Sequence, residues 1–196
     1  MRLRPGMVWV HCGGTAEAKT ISSLLLTQRF ERYYCGFDGS DPLKLMAKFN
    51  IGGKVVVSRT EIDDQDQTFP FSFHILPPTE AKKKLVIIDS IEMITSRYTM
   101  LYHHRNHLIR QAREWKSPVM MISQVSRETM QKAKKEQIRN ETSGYLIGNN
   151  LGFDAALPDI ITTSLRRRDN SVLIQCLKGY KWASKIWYWS GPLRKA

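Results

Sequence analysis

"VHCGGTAEAKTISSLLL", residues 10–26, joins an apolar strand to an apolar helix through a loop that contains glycine. Gly13 is followed by four residues, then by Ala18, and then by Lys19 and Thr20 at the predicted start of the helix. A strand, a loop of this length and a helix that opens with Lys-Thr are typical of loops that bind phosphate groups. The common pattern has glycine at the position of Ala18, so this loop departs from it at one residue.

In loops of this kind the backbone N–H groups and the helix N-terminus face the phosphates. The pattern places a lysine on the β- and γ-phosphates and a hydroxyl on Mg²⁺. We therefore predict a nucleotide site formed by eight consecutive residues: Gly13, Gly14, Thr15, Ala16, Glu17, Ala18, Lys19 and Thr20. An alanine at position 18 is tolerated where its φ is negative and strained where φ is positive, and the sequence leaves both open.

A second feature is the segment "KKKLVIIDS", in which four apolar residues run into Asp89. Unbroken β-branched runs are typical of central parallel strands that are buried on both faces. An aspartate that ends such a strand indicates the second residue of a magnesium site in phosphate-binding enzymes. The alternative is an ordinary strand-end carboxylate.

Apolar runs alternate with helical periodicity along the chain and are followed by three closely spaced strands. We predict an α/β fold: a mostly parallel sheet flanked by helices, with C-terminal antiparallel strands, in a single domain over residues 1–196. The predicted strands are residues 7–11, 33–37, 54–58, 85–89 and 119–123, then "DIITTSL", "SVLIQCL" and "KIWYW", the first two joined by a hairpin at "RRRDN". The predicted helices are residues 19–32, 41–50 and 97–115.

Helical periodicity also predicts which faces are apolar. In the first helix one side carries Ile21, Leu24, Leu25 and Gln28, and in the second helix one side carries Leu43, Met46 and Ala47. These sides are expected to pack against the sheet.

Ligands of open α/β sheets bind at the carboxyl ends of the strands. Four of the predicted strands end at or next to Gly13, Asp38, Asp89 and Gln124. One edge of the sheet is therefore expected to bring these residues together.

The net charge of +12 is concentrated in the second half of the chain. Residues 1–100 hold 13 Lys and Arg against 11 Asp and Glu, whereas residues 101–196 hold 17 against 7. A basic half favours a polyanionic partner, most often nucleic acid; the alternative is a solvated surface. No apolar run is long enough to span a bilayer, so a cytoplasmic protein without membrane contact is expected. The cysteines Cys12, Cys35 and Cys176 form no CxxC pair, which indicates small buried side chains rather than a disulfide framework.

Several motifs resemble those of one superfamily. "LVIIDSIEMIT" resembles the strand that ends in Asp-Ser in RecA-type recombinases, and "VMMISQVSRE" resembles the "SQLSR" strand end of DnaB-type replicative helicases. "YYCGFDGSDPLKLMAKFNIGGKVVVS" is similar to the segment after the phosphate-loop helix in both groups. "VLIQCLKGYKW" resembles a late strand that carries basic fingers. The resemblance covers about residues 7–189 and implies a RecA-like P-loop NTPase core that uses ATP and Mg²⁺.

The resemblance implies roles for individual residues. Lys19 would contact the β- and γ-phosphates, Thr20 would ligate Mg²⁺, and Asp89 would hold Mg²⁺ through water. Asp38 stands where the family has a general-base glutamate, and it is one methylene shorter, which puts turnover in doubt.

The resemblance also implies catalytic residues elsewhere in the chain. Gln124 would sense the γ-phosphate and pass the nucleotide state to the DNA-binding loop. Lys178, together with Lys181, would act in trans on the ATP of the next protomer, in the manner of an arginine finger.

In this family the segment after the glutamine strand faces the bound DNA. Its basic residues here, and so the predicted DNA contacts, are Arg127, Lys132, Lys134, Lys135 and Arg139. The glutamates of the segment reduce its net charge, so a solvated helix is the alternative. The "RRR" run at residues 166–168 is denser and is equally compatible with phosphate contacts or with solvent.

The resemblance implies an ATP-dependent motor that binds single-stranded DNA as a ring or filament, alongside other replication or recombination proteins. One alternative is a non-hydrolysing accessory subunit that binds DNA and a helicase or recombinase; Ala18 and Asp38 favour it. Another is a signalling or clock-type ATPase of the same fold without DNA, against which the basic C-terminal half argues.

Overall fold

The computed structural model describes residues 2–14, 18–37, 39–58, 81–92, 101–138, 151–166, 172–179 and 187–189. Strands and helices alternate within them in the predicted manner. In chain order the elements are β1 (Val8–Gly13), α1 (Lys19–Leu26), β2 (Arg32–Gly36), α2 (Pro42–Phe49), β3 (Val55–Ser58), β4 (Leu85–Asp89), α3 (Leu101–Arg113), β5 (Val119–Gln124), α4 (Arg127–Ile138), β6 (Ile160–Arg166), β7 (Val172–Lys178) and β8 (Trp187–Trp189).

The described strands form one sheet in the order β3-β2-β4-β5-β1-β6-β7-β8. Every ladder from β3 to β6 is parallel, and the β6–β7 and β7–β8 ladders are antiparallel. Arg166 pairs with Val172 across the predicted hairpin. The predicted fold class, a mostly parallel sheet with C-terminal antiparallel strands, is confirmed.

The sheet has a core on each face because successive side chains of a strand point to opposite sides. From β1, Val8 and Val10 enter the core that includes Leu108 and Ile109 of α3. Trp9, between them, enters the other core with Leu24 of α1. Burial on both faces explains why the central strands are mostly apolar.

The first helix is shorter than predicted. It ends at Leu26, and β2 already begins at Arg32. Its predicted apolar side packs in the core at Leu24, Ile21 and Leu25, and the prediction is wrong at Gln28. Gln28 is exposed, whereas Ser22 and Ser23 are buried beside Leu24. Serine hydroxyls can be buried here because they donate to carbonyls of the preceding turn, as Ser23 Oγ does to the Thr20 carbonyl at 2.7 Å.

The second helix begins as predicted, and its predicted apolar side is only partly correct. Its first turn is capped by the Asp41 carboxylate, which accepts from the backbone N–H groups of Leu43 and Lys44. Leu43 itself is 54% exposed and Ala47 is exposed, so the predicted apolar side is wrong at both residues. The side chains that pack against the core are Leu45, Met46 and Phe49.

The basic segment after β5 begins as a helix, α4. Ser126 caps it by accepting from the Thr129 N–H at 3.2 Å, and Met130 anchors it in the core. No helix in the described part of the chain is long and apolar enough to cross a membrane.

Candidate phosphate-binding site at the carboxyl edge of the sheet

The carboxyl ends of the parallel strands bring several predicted site residues to one edge. Gly13 at the end of β1 pairs with Gln124 of β5 on one side and with Ser164 of β6 on the other. Asp89 at the end of β4 pairs with Gly36 of β2. Asp38, the predicted general base, lies outside the described residues.

Gly13 has no room for a side chain. A Cβ built on it would lie 2.8 Å from Cγ of Lys19, 2.9 Å from Oγ of Ser164 and 3.1 Å from the Ser164 carbonyl oxygen. The glycine therefore lets the aliphatic stem of Lys19 pass directly over the end of β1.

The Lys19 ammonium lies across the loop. Its Nζ donates to the carbonyl oxygen of Gly14 at 2.9 Å. A cation is thus held over the start of the loop, beside the first turn of α1, where free backbone N–H groups and the helix dipole favour anions. Residues 15–17, which complete the predicted loop, lie outside the described residues.

The sequence left the sign of φ at Ala18 open, and the structure gives it. Its backbone is left-handed, with φ 57° and ψ 33°, and it stands at the N-cap of α1 without a side-chain cap. The alanine adopts the conformation for which glycine is preferred at this point. The loop therefore has a glycine-like backbone at the cost of local strain.

Thr20 and Asp89 are brought into direct contact across 69 residues of sequence. The Thr20 hydroxyl donates to Oδ2 of Asp89 at 2.6 Å, and the Tyr34 hydroxyl donates to the same oxygen at 2.7 Å. Asp89 is 1% exposed. The two donors fix the carboxylate at the mouth of the loop, beside the first turn of α1.

These oxygen atoms fit a magnesium ion. Mg²⁺ prefers hard oxygen ligands and is usually held by one or two carboxylates together with substrate phosphates rather than by an all-protein cage. Thr20 and Asp89 supply a hydroxyl and a carboxylate in contact with each other. Within the described ranges no group of three or more His, Cys, Asp or Glu side chains could form a cage instead.

A buried histidine lies beneath the loop. His11 of β1 is fully buried, with Nδ1 2.8 Å from Oγ1 of Thr162 and Nε2 2.7 Å from Oγ of Ser22. Burial, with a smaller effect of the Lys19 charge, lowers the pKa of His11 to about 3. The imidazole is therefore neutral at physiological pH.

A cleft of about 370 Å³ lies between the ends of β4 and β5 and the start of α4. Its lining residues are Glu92, Arg105, Gln124, Val125, Ser126, Thr129, Leu151 and Gly152. Glu92 accepts from Ser123 Oγ at 2.8 Å and pairs with Arg105 at 3.3 Å. Gln124 thus borders both this cleft and the end of β1.

The remaining predicted site residues are not gathered with this group. Nζ of Lys178 donates to the carbonyl oxygens of Ala155 and Ala156 at 2.9 and 2.8 Å. Because β7 is antiparallel, Lys178 pairs with Ile161, three residues before Ser164 on β6. Its action on a neighbouring protomer stays a prediction, and Lys181 lies outside the described residues.

The predicted DNA contacts start from α4, at the same edge of the sheet. Lys132 is exposed and pairs with Glu128 one turn earlier at 2.7 Å. Lys134 and Lys135 belong to the helix, and Arg139 lies outside the described residues. DNA contact by these residues stays a prediction.

The sequence interpretation did not identify the residues that support this site, namely Tyr34, His11, Ser22 and Thr162. One signal was present: His11 interrupts the apolar run "MVWVH", and a polar residue inside a buried strand needs a partner. The partners are 11 and 151 residues away, so periodicity could not find them.

Comparison with known proteins gives similarity in structure only. No protein-family model matches the chain, and no curated protein matches it in sequence. A KaiC-like protein of Pyrococcus horikoshii superposes with a TM-score of 0.57 at 13% identity, over 94% of this chain and 84% of that one. The flagellar accessory protein FlaH of Methanocaldococcus jannaschii superposes with a TM-score of 0.52 at 11% identity, over 96% and 92%.

Both structures have the RecA-like fold of P-loop ATPases. This chain has the same fold. The RecA-like architecture predicted from the sequence is confirmed, whereas the closer resemblance to helicases and recombinases stays a prediction. In this chain the start of α1 and the end of β4 meet through the contact of Thr20 with Asp89.

Proposed function

We propose that this chain is a RecA-like ATPase that binds ATP with Mg²⁺ at the loop after β1. The observation that carries the proposal is the direct contact of Thr20 with Asp89, beside a lysine held across the loop. Two features predicted separately, 69 residues apart, meet at a site suited to a metal-bound phosphate.

In this proposal Lys19 contacts the β- and γ-phosphates and the N–H groups at the start of α1 bind phosphate oxygens. Thr20 and Asp89 hold Mg²⁺, and Tyr34 keeps the Asp89 carboxylate in place. When bound, the ion neutralises phosphate charge. Gln124, at the end of β5 beside Gly13, is placed to respond to the terminal phosphate.

We further propose that the protein binds single-stranded DNA and acts as a motor of the helicase or recombinase type, in a ring or filament. This step rests on the basic C-terminal half and on α4, which starts three residues after Gln124. A helix next to the γ-phosphate sensor could couple nucleotide state to DNA contact. Phosphate contacts of this kind are salt-sensitive and independent of base sequence.

Two alternatives keep specific support. Ala18 is strained in its left-handed conformation, which favours an accessory subunit that binds nucleotide weakly or does not hydrolyse it. The structural neighbours are a KaiC-like protein and a flagellar accessory protein. The shared fold is the support for the second alternative, a signalling or clock-type ATPase.

The test is ATP hydrolysis measured with and without single-stranded DNA, beside DNA binding at increasing salt. We expect hydrolysis that DNA stimulates, and DNA affinity that falls steeply with salt. Hydrolysis that DNA does not change, with no DNA binding at low ionic strength, would favour the signalling alternative. DNA binding without hydrolysis would favour the accessory subunit. The matched variant Asp89→Asn should lose hydrolysis and keep DNA binding.

A further inference from the structure

A chain of buried polar side chains runs from β6, through β1, to the first turn of α1. Trp9 Nε1 donates to Oγ1 of Thr162 at 2.7 Å, and Thr162 lies 2.8 Å from Nδ1 of His11. His11 Nε2 lies 2.7 Å from Oγ of Ser22. All four residues are at most 1% exposed. Buried polar groups that are fully bonded in this way are rigid and costly to disrupt.

The direction of each hydrogen bond in this network follows from its end at Ser22. Oγ of Ser22 lies 2.8 Å from the carbonyl oxygen of Ala18 and 3.0 Å from that of Lys19. Carbonyl oxygens only accept, so the Ser22 hydroxyl donates its hydrogen to them. Ser22 must then accept from His11, which makes His11 the Nε2–H tautomer and leaves Nδ1 to accept from the Thr162 hydroxyl.

The hydrogen-bond network therefore ends on the backbone carbonyl of Ala18, where α1 begins. The carbonyl oxygen of Ala18 accepts twice from Ser22, from its N–H at 2.9 Å and from its hydroxyl. In a trans peptide the C=O and the next N–H point in opposite directions. Holding the Ala18 carbonyl toward Ser22 therefore aims the N–H of Lys19 in the opposite direction, away from the body of the helix.

We propose that Ser22, oriented by His11 and Thr162, is a positioning residue of the phosphate site that holds the strained Ala18 peptide so that the N–H of Lys19, at the start of α1, faces the phosphate. This inference rests on the proposed nucleotide function. Glycine would need no such support at position 18, because it adopts a left-handed backbone without strain. The network thus compensates for the residue at which this loop departs from the common pattern.

The experiment compares Ser22→Ala and Thr162→Val with the control Thr27→Ala. Thr27 is fully buried in the turn after α1 and donates to the Ser23 carbonyl at 2.7 Å, so its loss removes a similar bond from the other end of the helix. The first measurement is the affinity for a fluorescent ATP derivative with Mg²⁺. The second is NMR-detected hydrogen exchange of the amide at position 22 without nucleotide.

We expect nucleotide affinity to fall about tenfold in Ser22→Ala and Thr162→Val and to stay at the wild-type value in Thr27→Ala. Exchange at position 22 should accelerate in the first two variants only. Thr162→Val is the most informative variant, because Thr162 is on a strand and is linked to the Ala18 peptide through His11 and Ser22.

Unchanged affinity in Ser22→Ala and Thr162→Val, or equal losses in all three variants, would overturn the inference. If the wild type binds no nucleotide, the proposed function fails, and the exchange rates alone then judge whether the network holds the loop. ¹⁵N NMR of His11 is a further check that needs no ligand: a hydrogen on Nδ1 instead of Nε2 would contradict the derived hydrogen-bond directions.

Discussion

The buried His11 makes the stability of the fold depend on pH in a calculable way. In the folded chain both imidazole nitrogens are bonded to hydroxyl groups and the side chain is fully buried. Burial and the Lys19 charge lower its pKa to about 3, against an ordinary value of about 6.5. Below pH 6.5 the unfolded chain therefore takes up a proton that the folded chain does not bind.

The sign and size of the effect follow from linkage. Since the folded pKa is the lower one, the contribution of His11 is fully present above about pH 6.5 and is lost as the pH falls toward about 3. The loss approaches about 1.4 kcal/mol for each pH unit, which amounts to about 3 kcal/mol at pH 4.5. That is a large part of the free energy of unfolding of a typical protein, which is about 5–15 kcal/mol.

The assay is chemical denaturation at pH 7.5, 6.5, 5.5 and 4.5, with wild type compared to His11→Gln. Glutamine can occupy both hydrogen bonds but does not titrate, so its free energy of unfolding should fall less steeply below pH 6.5. His103→Gln, on an exposed position of α3, removes a histidine without touching the network and serves as the control. Parallel pH profiles for wild type and His11→Gln would refute the reasoning, whatever their absolute stabilities.

Three further substitutions test the phosphate loop and the Asp89 carboxylate. Ala18→Gly should raise the free energy of unfolding by about 1 kcal/mol, since glycine adopts the left-handed backbone without strain; a loss of stability in thermal unfolding would contradict this. Gly13→Ala should cost about 1–3 kcal/mol and weaken ATP binding, because its Cβ has no room. The control Gly52→Ala, with no atom within 4 Å of the new Cβ, should be close to neutral. Tyr34→Phe should cost about 1–2 kcal/mol and raise the Mg²⁺ concentration needed for ATP binding, because Asp89 loses a donor; an unchanged Mg²⁺ dependence would exclude that role.

The fold could be predicted from the sequence because two of its central strands are continuous apolar runs. The runs that end at Asp89 and Gln124 are apolar on both faces, which only a central parallel strand requires. The carboxyl edge then follows from the direction of the strands. The order of the strands in the sheet could not be predicted in the same way, because it depends on contacts between distant segments.

Helix faces were predicted less well, for a physical reason. Periodicity counts apolar residues, but α1 buries Ser22 and Ser23, whose hydroxyls are satisfied by carbonyls of their own helix. The buried surface of α1 is therefore partly polar, so the count found Leu24 and its apolar neighbours but missed the two serines and wrongly added the exposed Gln28. In α2 the same count placed the exposed Leu43 on the packed side.

The residues proposed to bind the phosphates and Mg²⁺ could be predicted from the sequence, whereas the contacts that hold them in place could not. Lys19, Thr20 and Asp89 follow from a motif and a strand end, and the structure brings Thr20 and Asp89 together. The φ of Ala18 and the bonds of His11 and Tyr34 depend on tertiary contacts, which a single sequence does not contain.

The central claim is that the loop after β1 binds ATP through Lys19, and isothermal titration calorimetry with ATP and Mg²⁺ tests it most directly. The wild-type chain should show saturable binding that requires Mg²⁺. Lys19→Ala should abolish it, and Lys44→Ala, at an exposed position of α2, should leave it unchanged. The absence of saturable binding by the folded wild-type chain, or equal binding by Lys19→Ala, would contradict the account.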